Sequence, residues 1–126
     1  MRGRPGTARA VAFAAVLVPF LAGCGEERVC PAVGWFNTLV VELAPAWPEL
    51  DGAAVEVAGG FPGPAPLTGR SAEVQLDMSL PDTVAVTVLD ARGTVLAEAE
   101  TRPEWRRVGG TAECGGPAEA TVVIDR

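Results

Sequence analysis

Apolar residues in this chain recur with a period of two in six short runs between residues 37 and 125. Asn37 to Leu43 (NTLVVEL) places Leu39, Val41 and Leu43 on one face, and Ala53 to Val57 places Val55 and Val57 opposite Glu56. Glu73 to Met78 alternates throughout, with Val74, Leu76 and Met78 inward and Glu73, Gln75 and Asp77 outward. Thr83 to Leu89 sets Val84, Val86 and Val88 on one face, and Thr94 to Glu100 does the same with Val95, Ala97 and Ala99. Glu119 to Asp125 follows with Ala120, Val122 and Ile124 inward. Runs with a single apolar face predict half-buried antiparallel strands, and no window beyond residue 30 carries helical spacing.

The segments between these runs are rich in turn formers. Asp90-Ala91-Arg92-Gly93 suits a short hairpin whose glycine takes a left-handed conformation. Asp51-Gly52 is a turn signal, and Gly59 to Pro66 (GGFPGPAP), with three prolines, reads as a loop. Gly109-Gly110 and Gly115-Gly116-Pro117 bracket Cys114 with irregular backbone. Six or seven short strands in about 100 residues bury their apolar faces best as two packed sheets. The expected fold is therefore all-β, a small immunoglobulin-like two-sheet sandwich of antiparallel strands over residues 30–126, after a short helical signal segment.

That signal segment is the one long apolar stretch. Three arginines and no acid occupy the first nine residues, and Ala10 to Ala22 is then uninterrupted in apolar residues and proline for 13 positions. A membrane-spanning helix needs about 20 residues, so the run fits a cleavable export signal instead. It ends Leu21-Ala22-Gly23-Cys24, which resembles the lipobox of bacterial lipoproteins. The resemblance implies cleavage after residue 23 and a diacylglyceryl group on the thiol of Cys24. It also implies a protein held on the extracytoplasmic face of the cell membrane; the other reading is an ordinary secretion signal. Residues 24–29 then form a short tether, whose six steps to Cys30 reach at most about 20 Å.

Cysteine number bears on the same point. An exported chain with three cysteines has one odd thiol; if Cys24 carries lipid, Cys30 and Cys114 remain as a pair suited to a disulfide in an oxidising compartment. The alternative is two free thiols, but neither lies in a Cys-x-x-Cys pair or beside a basic activator.

Part of the domain is similar to carboxypeptidase-regulatory-like, transthyretin-type sandwiches. The similarity runs through Gly52-Ala53-Ala54-Val55-Glu56-Val57 and Leu80-Pro81-Asp82-Thr83-Val84-Ala85-Val86, within Leu39 to Leu89. The Gly-Tyr dipeptide that usually follows in that family is missing. The resemblance implies a non-catalytic β module.

Composition narrows the chemistry. The 126 residues include no His, no Lys and no Tyr, which removes histidine bases, lysine Schiff bases and histidine metal sites. Residues 24–126 hold seven arginines against sixteen acids, a net charge of −9 that argues against nucleic acid as a partner. The acids lack calcium-loop spacing, and neither Ser71 nor Ser79 sits in a Gly-x-Ser-x-Gly elbow. No catalytic residue, metal site or cofactor is expected.

Candidate binding residues come from the loops. Trp47, between two prolines, and Trp105, followed by Arg106 and Arg107, could present flat apolar area to a sugar or a partner protein. The competing reading packs tryptophans into the core, an expectation strongest for Trp35. Arg106 and Arg107 could meet anionic headgroups or pair with local acids. The sequence thus predicts a membrane-anchored cell-envelope interaction module, with binding of cell-wall glycan or a small ligand as the alternative.

Overall fold

A computed structural model describes residues 29–126, together with Gly3 and Gly6. The expected signal segment and Cys24 lie outside the described residues. Eight strands form two four-stranded sheets: β1 (Asn37–Leu43), β2 (Ala54–Val57), β3 (Ala65–Pro66), β4 (Ser71–Leu76), β5 (Val84–Leu89), β6 (Val95–Thr101), β7 (Arg106–Arg107) and β8 (Ala118–Ile124). One sheet has the order β4-β1-β8-β7 and the other β3-β2-β5-β6. The molecule is the β-sandwich that the alternating pattern requires. Among the described residues no helix is long and apolar enough to cross a membrane.

Register explains the core. Leu39 lies opposite both Val74 and Ala120, Val41 opposite Ala72 and Val122, and Leu43 opposite Ile124. Because side chains alternate faces, this register turns all eight residues to the same side. They are buried there against Val55, Val57, Val84, Val86 and Val88 of the second sheet.

Three details depart from expectation. Strands β1 and β8 run parallel, although every other pairing is antiparallel. No hairpin joins the first strand to the last, so the chain between them is free to return in either direction. The proline-rich segment is not all loop: Ala65–Pro66 pairs with the start of β2 at the sheet edge, where a missing N–H is tolerated. Finally, β4 stops at Leu76. Asp77 accepts a hydrogen bond from the Ser79 amide at 2.7 Å, closing a turn that leaves Met78 exposed instead of inward.

The sandwich has two distinct ends. One, the proximal end, gathers the starts of β1, β5 and β8 and the finishes of β2, β4, β6 and β7. The chain enters the domain there, through Cys30. The opposite, distal end holds the Asp90–Gly93 hairpin, where Asp90 accepts from the amides of Arg92 and Thr94 at 2.8 and 2.9 Å and Gly93 has φ +82°.

Candidate functional site at the proximal end

Cys30 and Cys114 are joined by a disulfide, with their Cα atoms 5.3 Å apart and 84 residues of separation. The turn that presents Cys114 is built from residues 109–117. Thr111 and Gly115 exchange backbone hydrogen bonds of 3.2 and 2.8 Å, and the Thr111 hydroxyl accepts from the Cys114 amide at 3.1 Å. Its two glycine pairs cross so closely that a Cβ on Gly110 or Gly116 would strike opposing backbone. Arg107 fastens the turn by donating to the carbonyls of Gly109 and Gly110 at 3.1 and 2.9 Å.

Trp35 lies against this turn, its ring edge meeting Gly115. Together with Pro31, Val33 and Cys114 it lines a mainly apolar pocket of about 270 Å³. Trp35 is therefore half-buried at the surface, where core packing was the stronger expectation.

Beside the pocket, Asn37 is the one polar residue among the described residues that is fully buried. Its Nδ2 donates to the Ser79 carbonyl at 2.8 Å, and its Oδ1 accepts from the Ala118 amide at 2.8 Å. One side chain thus ties the β4–β5 connection to the first residue of β8. Asn37 is not among the candidate residues that the sequence marks. A lone polar residue opening an otherwise apolar strand face was the available signal.

The other sequence candidates do not form one surface. Trp47 is 4% exposed and occupies the distal end, so it offers no face to a ligand. Its Nε1 donates to the Ile124 carbonyl at 3.0 Å, Arg126 covers its ring, and Arg70 donates to the carbonyls of Ala44 and Trp47. The flanking prolines suggested an exposed loop, but that loop folds inward as a plug. Trp105 is half-buried near the proximal end with its indole N–H already donated to the Pro81 carbonyl at 3.0 Å. It shares an open cleft of about 460 Å³ with Arg106, Glu104 and Glu119. Arg106 and Arg107 form β7, pairing in register with Glu119 and Ala118, so the basic pair belongs to a sheet edge.

Among titratable groups at this end, Asp77 is displaced. Hydrogen bonds from the Ser79 side chain and backbone favour its ionised form and hold it below 3.8. Among the described residues, no group of three or more His, Cys, Asp or Glu stands close enough to hold a metal ion.

Against family models, curated proteins and solved structures alike, the chain finds no match.

Proposed function

We propose that the chain is a lipid-anchored cell-envelope protein whose mature part is a non-catalytic β-sandwich interaction module. The observation that carries this reading is the use of the cysteines. With Cys30 and Cys114 joined, Cys24 is the single cysteine left, and it stands at the lipobox position after a basic start and a short apolar run. Two acyl chains there give stable membrane attachment. The lack of His, Lys and Tyr supports a binding role over a catalytic one, and the partner class is another envelope protein.

The glycan-binding alternative has less support, because it draws on Trp47 and Trp105 as exposed loop residues. Trp47 is in the core and the Trp105 N–H is already engaged. Expression with labelled palmitate tests the reading. Wild-type protein should take up label and sediment with membranes, whereas Cys24→Ala should do neither. Label and membrane partition that persist in Cys24→Ala would overturn it. Membrane crosslinking then identifies the partner.

A further inference from the structure

We propose that the proximal end of the sandwich is a lipid-contact surface that seats the domain end-on in the outer leaflet, rather than leaving it to swing from its tether. The inference rests on the lipid-anchor reading and adds to it the surface through which the folded domain meets the bilayer.

The large exposed apolar side chains are unevenly distributed. Of ten among the described residues, seven belong to the proximal end. Val29 is in the tether, and Val33, Phe36, Phe61, Met78, Leu80 and Val108 follow in the folded domain. Several are held together by the fold. The rings of Phe36 and Phe61 pack edge to face with centroids 5.0 Å apart, the Met78 sulfur reaches Gly34, and Asn37 holds the Ser79 carbonyl next to Leu80. Gly60 bridges to Leu76, which brings the proline-rich loop to the same end. The apolar pocket beneath Trp35 continues this surface. The three remaining exposed residues, Val95, Leu96 and Val123, lie on β6 and β8 outside this group.

The length of chain between anchor and domain identifies the occupant. Six residue steps from Cys24 to Cys30 reach at most about 20 Å, so a lipid on Cys24 holds this end of the domain within that distance of the bilayer. Clustered apolar surface of this kind marks a contact site, and here the lipid acyl chains are the nearest apolar phase. The ionisable groups around it are mixed: Asp77, Asp82, Glu104, Glu113 and Glu119 with Arg102, Arg106 and Arg107. Seating therefore draws on apolar contact, and neutral lipid suffices.

The test uses the lipidated mature protein in phosphatidylcholine nanodiscs carrying a nitroxide on the acyl chain, read by attenuation of amide NMR signals. Signals of residues 33–36, 60–61, 78–80 and 108 should fall at least about twofold relative to the hairpin at 90–94. A 12-residue Gly/Ser spacer inserted after Gly25 should leave that contrast in place, because the apolar end holds itself down. The exposed pair Phe36→Ser and Phe61→Ser, combined with the spacer, should abolish it. Equal attenuation at both ends, or loss of contrast with the spacer alone, overturns the inference while the anchor stands. An intact mass without lipid on Cys24 removes the anchor itself, and the seating with it.

Discussion

The two ends of this sandwich use aromatic residues in opposite ways. At the distal end a single tryptophan, Trp47, is drawn into the core, its N–H satisfied by Ile124 and its ring covered by Arg126. At the proximal end Trp105 packs only in part against the core and donates its N–H to Pro81, Trp35, Phe36 and Phe61 remain at the surface, and a disulfide and one buried amide, Asn37, complete the closure. The distal end is sealed by hydrophobic burial. The proximal end is closed by covalent and hydrogen-bonded ties, which leave its apolar side chains free for contact. The ends differ because the apolar side chains of the proximal one are drawn into the core only in part.

The largest expected effect falls on the proximal tie. Replacing Cys30 and Cys114 together by Ser releases an 84-residue constraint, for which loop-closure entropy gives a loss of about 4.5 kcal/mol. Urea denaturation with and without reductant measures it, and a loss below about 1 kcal/mol would show that the ends are not closed in the manner described. The aromatic contrast comes next. Trp47→Ala should cost about 4 kcal/mol as a core truncation, whereas Trp35→Ala, half-buried at the surface, should cost about 1 kcal/mol. Equal costs would erase the comparison. Asn37→Ala should cost about 2 kcal/mol, since the buried Ala118 amide loses its acceptor. Its amide exchange should quicken while that of Val122 is unchanged.

The smallest effect is electrostatic. Asp77 should titrate below 3.8, and Ser79→Ala should move it back toward that value, as read from carboxyl chemical shifts. Its folded value is depressed, so the turn's contribution is present above the ordinary pKa. It is lost as pH falls through the lower, folded one.

Much of the fold was legible in the pattern of the chain. Alternation over Asn37–Leu43 and Glu119–Asp125 predicts strands and buried faces that lie at Asn37–Leu43 and Ala118–Ile124, because a period of two has only one structural meaning. The hairpin at Asp90–Gly93 was legible for a local reason: its turn chemistry is complete within five residues. Pairing partners were not legible. Nothing in a strand's own alternation says that β1 lies beside β8, or that the two run parallel. The short edge strands β3 and β7 carry too few residues for any period. Burial of the tryptophans was misjudged for a related reason. Prolines around Trp47 correctly indicate an irregular backbone, but irregular backbone can still fold its side chain inward when a strand end such as Ile124 offers an acceptor.

The parallel course of β1 and β8 has a mechanical consequence. A pull arriving through Cys30 divides at the disulfide, one share passing into β1 and the other through Cys114 toward β8. Both central strands are then loaded from the same end and in the same direction. The ladder between them bears little shear, and strain passes outward to the antiparallel neighbours β4 and β7. A domain wired in this way resists being unravelled by a pull on the chain before Cys30.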